Sequence, residues 1–328
     1  MKVFVLTILK LFIFISFIPL TLISSPTKSE VANSKKIIGY FPNWGVYGAH
    51  RDYFVKNIPW DKLTHVQVAF AKVAPDTFKI STPDSWADLE RPYGESWNSK
   101  YKGNYGQFRK LKVAHPHVSV LISIGGWTLS GQFADAGSTD AKSELFANES
   151  VKFMVQHGFD GIDIDWEFPT KVRLPDKIDN INDEGTPDET ADSKQGFTRL
   201  LKHLREKLDE QGVTDGKYYQ LTAAIGSSQE LINATEPDLY IQYLDFLNIM
   251  SYDMHGAWDK NTNHQSPLFV NPDLTQDNIS VDNAVKLLHE TYGVSKDKLI
   301  IGSPFYSRGW KGVDCSNTTT LKDSQGND

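Results

Sequence analysis

The sequence predicts a TIM-type (β/α)8 barrel, and three observations predict it. Short, continuous apolar runs recur along the chain, as strands buried on both faces require. Amphipathic helical patterns alternate with them, which implies a mainly parallel sheet. One run, FDGIDIDWEFP at 159–169, sets three acids two positions apart where a barrel strand would end.

The strand candidates follow in order. KKIIGYFPNW (35–44) is a first apolar run closed by Pro and Asn. THVQVAFAKV (64–73) and HVSVLISIGGW (117–127) come next. FDGIDIDWEFP, YYQLTAAIG (218–226), LDFLNIMSYD (244–253) and KLIIGSPFY (298–306) complete seven. Helical spacing is read over Ser143–His157, with Leu145, Phe146, Val151, Met154 and Val155 as its apolar positions. It recurs at Phe197–Leu208, through Phe197, Leu200, Leu201, Leu204 and Leu208, and at Val281–Tyr292. Residues 75–106, rich in Trp, Tyr, Pro and Gly, and the polar, acidic 170–194 read as loops. Both follow strands, so both belong on the barrel's C-terminal face.

Composition narrows the class. The 328 residues suit one large α/β domain, with 40% hydrophobic and 23% charged residues. A net charge of −7, with no basic patch, argues against a nucleic-acid partner. Eight Trp make a surplus that stacking on carbohydrate would explain. The first 25 residues, with Lys2 ahead of an apolar run interrupted by Lys10 and Pro19, read as a secretory signal peptide. Residues 26–35 read as a linker. The expected product is secreted, with no membrane segment once the signal is cut. The single cysteine, Cys315, is expected to be free or paired outside this sequence. Sequons at Asn148, Asn233, Asn278 and Asn317 are read as chance occurrences.

Strand alternation puts Asp163, Asp165 and Glu167 on one face and Ile162, Ile164 and Trp166 on the other. Same-face Cα atoms lie about 6.6 Å apart, so three partly desolvated carboxyls cannot all ionise cheaply. A carboxyl kept protonated at a barrel rim suits general acid catalysis, and Glu167 is outermost. A calcium loop counted from Asp163 fails, since Phe168 and Leu174 stand where Gly and Glu are needed. A carboxylate-only Mg²⁺ site stays open. An acidic strand facing water fits poorly with the bulky apolar neighbours. Asp165 shares its face with Glu167, so it is badly placed to attack a sugar from the opposite side. The nucleophile would come from another strand or from the substrate, where an N-acetyl carbonyl can serve. Asp165 would then orient the acetamide, and Asp163 would tune Asp165 by sharing a proton.

These residues resemble the D-x-x-D-x-D-x-E signature of glycoside hydrolase family 18, the chitinases, at Asp160, Asp163, Asp165 and Glu167. S-x-G-G is matched by Ser123, Gly125 and Gly126, ahead of Trp127. M-x-Y-D is matched by Met250, Tyr252 and Asp253. YFPNW and PFYSRGW are similar to family members too, and the agreement runs from Lys36 to Trp310. The resemblance implies a barrel domain over 36–328 that hydrolyses β-1,4 bonds between N-acetylglucosamine units with retention. Glu167 would be the acid, then the base; Asp165 would hold the acetamide and Tyr252 would bond its carbonyl. Met250 and Asp253 would line the same pocket. Tyr40, Phe70 and Trp127 would wall it, and Tyr306 and Arg308 would reach substrate hydroxyls. The implied partner is chitin or a chito-oligosaccharide, bound by a monomer, with no metal and no cofactor. A chitin-binding lectin on the same scaffold, and an endo-β-N-acetylglucosaminidase, are the alternatives.

The sequence departs from the family after Trp310. The family's small α+β insertion and its eighth strand, with a pocket-floor Trp, find no match before Asp328. The barrel is therefore expected to be incomplete, with two strand edges unpaired. Met250 and Phe70 also have core readings, and His255 a structural one. Trp86 and Trp97 read equally as cleft platforms or as a core of their own loop.

Overall fold

The computed structural model describes residues 35–313, apart from 178, 179, 182, 184 and 271–278. The expected signal peptide, all of the linker but Lys35, Cys315, Asn278 and Asn317 lie outside the described residues.

The strands are β1 (Ile38–Pro42), β2 (His65–Val73), β3 (Ile80–Ser81), β4 (Ser119–Gly125), β5 (Gly161–Asp165), β6 (Gln220–Gly226), β7 (Phe246–Met250) and β8 (Leu299–Ile301). The helices are α1 (Gly103–Ala114), α2 (Phe133–Ala136), α3 (Asp140–His157), α4 (Ser193–Asp215), α5 (Gln229–Asn233), α6 (Pro237–Tyr240) and α7 (Val281–Lys286). Seven strands pair in parallel, in the order β1-β2-β4-β5-β6-β7-β8, and β3 adds to β2 antiparallel. They curl into a barrel that is open between β1 and β8, with no strand pairing across that gap among the described residues. At the gap's N-terminal end Lys36 Nζ donates to the Asp297 carbonyl at 3.3 Å.

Each predicted strand run contains an observed parallel strand. The helix read over Ser143–His157 begins three residues earlier, because Thr139 caps it by accepting from the Lys142 amide at 3.3 Å. It stops at Gly158, whose φ of +73° ends helices without steric cost. Leu145 and Val155 point outward on this helix; Phe146, Ala147, Val151, Phe153 and Met154 form the buried side. α4 buries the expected Phe197, Leu200, Leu201, Leu204 and Leu208. The helical reading at 281–292 holds as α7 to Lys286, and a wider turn takes over through Thr291.

The outward face of β5 explains the bulky residues between its acids. Ile162 and Ile164 are fully buried under the helices. Trp166 stacks on Phe133, with centroids 5.4 Å apart, and meets Phe197 edge-on. Trp166→Ala is expected to cost about 3–5 kcal/mol of stability. A denaturant midpoint unchanged in that variant would contradict this packing.

Residues 75–106 are less irregular than expected. β3 lies inside them and α1 begins at Gly103. A fully buried carboxylate, Asp88, gathers this segment. Asn43 Nδ2 donates to it at 2.8 Å, Asn104 Nδ2 at 2.9 Å, and Thr82 through its hydroxyl. Burial raises the Asp88 pKa, and these three donors pull against it.

Candidate active site

Parallel register carries the acids into the barrel lumen. Ser123 of β4 lies beside Asp163 of β5, and Asp163 beside Thr222 of β6. Asp163 is fully buried and accepts four hydrogen bonds. They come from Ser123 Oγ (2.8 Å), Tyr40 Oη (3.0 Å), Thr222 Oγ1 (2.5 Å) and Asn248 Nδ2 (3.4 Å). Gln67 completes the polar layer, donating to Thr222 at 2.9 Å and accepting from Asn248 at 3.1 Å.

Asp165 is one step higher and 2% exposed, with its Oδ2 buried and without a hydrogen-bond partner. Burial pushes its pKa well up, and the charges of Asp163 and Glu167 add to that. Burial raises Asp163 as well, but the surrounding donors hold its charge. The pair therefore shares one proton, lodged on Asp165 and given toward Asp163.

Glu167 stands at the rim. Burial raises its carboxyl to about 7, the charge of Arg173 opposes the rise, and Asp253 adds to it. The Trp127 backbone N–H faces this carboxylate and also favours its charged form. The backbone below is fixed by Ser130, whose hydroxyl accepts the Glu167 N–H at 2.9 Å and lies 3.1 Å from the Asp165 carbonyl. Gly125 must be glycine here: its φ is +108°, and a Cβ would sit 2.3 Å from the Asp165 carbonyl oxygen.

The other predicted residues distribute around this row. Tyr252 follows β7; burial and the charges of Asp165 and Glu167 raise its pKa, so its hydroxyl stays protonated. Met250 is the last residue of β7 and half-buried. Asp253 accepts from Tyr306 Oη at 2.8 Å and Arg308 Nε at 2.7 Å, so Tyr306 and Arg308 are here tied to Asp253. Tyr40 sends its hydroxyl into the lumen while its ring stays partly exposed. Phe70 stacks on Trp44 at 6.3 Å and packs against Gly126. Trp127 is exposed on one side and carries the Arg173 guanidinium on the other, 4.1 Å from its ring centroid.

Asp160, the first acid of the signature, lies away from this group. It accepts from Lys112 Nζ at 2.5 Å and the Val120 amide at 2.9 Å, closing the strand's lower end. His255 pairs with Asp259 at 3.1 Å. Trp86 and Trp97 pair with each other, 6.4 Å apart, and both are exposed. Among the described residues no three His, Cys, Asp or Glu side chains converge as metal ligands. No helix of the described residues is long and apolar enough to cross a membrane.

Gln67, Thr222, Asn248, Ser130 and Arg173 were not legible as site residues. The first three are single polar residues inside apolar strand runs. Their alternation with buried aliphatics was the available signal.

The glycosyl hydrolases family 18 model matches residues 36–327. Chitinase A1 of Niallia circulans is 36% identical over 322 residues, covering 88% of this chain and 44% of that protein. The solved structure of chitinase ChiA74 from Bacillus thuringiensis superposes with a TM-score of 0.78 at 35% identity, covering 87% of this chain and 50% of that one. A family 18 N-acetylglucosaminidase from Paenibacillus barengoltzii gives 0.66 at 31% identity, covering 83% and 69%. The chain spans about half the length of the curated relatives it matches. A lumen row of acids, a barrel of parallel strands and a family match across nearly all described residues agree: the chain belongs to glycosyl hydrolases family 18.

Proposed function

We propose that residues 36–328 belong to the catalytic barrel of a chitinase, hydrolysing β-1,4 bonds between N-acetylglucosamine units with retention. The carrying observation is the single-face row Asp163, Asp165, Glu167, with the outermost carboxyl poised at about 7. Glu167 gives its proton to the departing sugar oxygen. The substrate's acetamide carbonyl closes on the anomeric carbon, which replaces a protein nucleophile. Asp165 takes the acetamide N–H on its unpartnered oxygen and, as its own proton passes to Asp163, stabilises the positive charge that develops. Tyr252, held neutral, donates to the acetamide carbonyl. Glu167, now ionised, takes a proton from water as it opens the cyclic intermediate, so two inversions give retention. Met250, Asp253, Tyr40, Phe70 and Trp127 bound the sugar, with Tyr306 and Arg308 at its edge. The protein acts as a monomer, exported through its first 25 residues.

Because the acid must be protonated, kcat on a chito-oligosaccharide is expected to fall as pH rises through about 7. A kcat constant well above that pH would remove Glu167 from the role. Glu167 also separates this reading from a lectin, which would bind chitin without releasing sugar. Release of glycan from a glycoprotein in place of chitin cleavage would favour an endo-β-N-acetylglucosaminidase.

A further inference from the structure

Two loops leaving adjacent strands are locked together beside Glu167. Trp127 follows β4 and Arg173 follows β5. Arg173 reaches both oxygens of Asp183, through Nη1 to Oδ2 and through Nη2 to Oδ1 at 2.9 Å. Its Nη2 also donates to the Trp127 carbonyl, and the guanidinium covers the Trp127 ring. Asp183 is fully buried and accepts the amides of Asp176 (2.6 Å) and Gly185 (3.0 Å). Burial alone would raise its pKa; the Arg173 fork and the two amides drive it down to about 2. An anion therefore stays under the guanidinium throughout the working pH range.

Trp127 is held through its carbonyl and its ring. Its carbonyl accepts from Arg173, and its N–H faces the Glu167 carboxylate. We infer that Arg173 is a positioning residue for the hydrolysis: by clamping Trp127, it fixes the acid's amide donor and one wall of the sugar pocket. This rests on the proposed role of Glu167. The charged and titratable groups facing Glu167 are Asp165 from β5, Tyr252 and Asp253 beyond β7, and Arg173. Arg308 is engaged by Asp253. Losing Arg173 removes a cation that opposes the acidic neighbours and loosens the amide donor. Both changes favour the protonated form of Glu167.

The test compares Arg173→Gln, Arg173→Lys and Asp183→Asn in the full chain, each corrected for its folded fraction by thermal melting. Two quantities are read: kcat and KM on a chito-oligosaccharide across pH, and the Glu167 carboxyl titration in the free protein by ¹³C NMR, assigned with Glu167→Gln. Arg173→Gln is expected to move the alkaline limb of kcat and the NMR titration up by about one pH unit. It should raise KM by about fivefold through a loosened Trp127. Arg173→Lys keeps the charge and loses the fork, so it should restore the charge-driven part of the titration shift while KM stays high. Asp183→Asn should raise KM as well. An unshifted titration in Arg173→Gln, or losses in all three variants that only track the folded fraction, overturns the inference. Absence of cleavage by the unmodified chain would strike the proposed activity, while the NMR titration still decides whether Arg173 governs Glu167.

Discussion

Glu167→Gln is expected to lower kcat on chito-oligosaccharides by roughly 10³- to 10⁴-fold, near the upper range for losing a positioned acid and base. The amide keeps the shape and still meets the Trp127 amide, but it has no proton to give and no charge with which to recover one. Binding should change little, because the acid's contribution is concentrated in the transition state. Stability should hold or rise slightly, since a carboxyl raised to about 7 by burial carries an unwelcome partial charge at neutral pH. Steady-state kinetics together with a binding titration check both halves. Residual turnover above a tenth of the parent's would mean that another group donates the proton.

Asp165→Asn should lose roughly 10²- to 10³-fold in kcat, the scale of removing one preorganised electrostatic partner of a developing charge. The asparagine fills the same space between Asp163 and Glu167, but it has no proton to pass to Asp163 and so cannot become the anion that a cyclised acetamide needs. It also ends the shared proton, so Asp163 remains ionised among Ser123, Tyr40, Thr222 and Asn248. Combining it with Glu167→Gln separates the roles. If both act in one step, the double variant should be little worse than Glu167→Gln alone. Fully multiplicative losses would assign Asp165 to a different event.

Much of the architecture is visible in local sequence because buried parallel strands write themselves as uninterrupted aliphatic runs. Ile162, Ile164 and Trp166 announce β5, and their alternation with the acids orients it. α1 is not visible in this way. Its stretch GNYGQFRKLKVA opens on glycines and polar residues, and its buried contacts come from Tyr105 and Phe108 against other elements. The polar lumen layer fails for a related reason. Gln67, Thr222 and Asn248 come from three strands, and only curling the sheet brings them around Asp163. Arg173 and Asp183 are ten residues apart in an acidic loop, where composition reads as solvated surface. Tertiary folding makes them a buried pair.

The Asp88 junction sets the mechanical character of the crevice. Thr82 and Asn104 hold the buried Asp88 carboxyl from within the segment after β2, and Asn43 ties it to the chain just past β1, so swinging that segment away from the barrel would strip the carboxyl of its Asn43 amide. Losing that donor leaves a buried polar group short of a partner, at a cost of about 1–3 kcal/mol. The segment therefore behaves as a stiff bank of the crevice, anchored beside the end of β1.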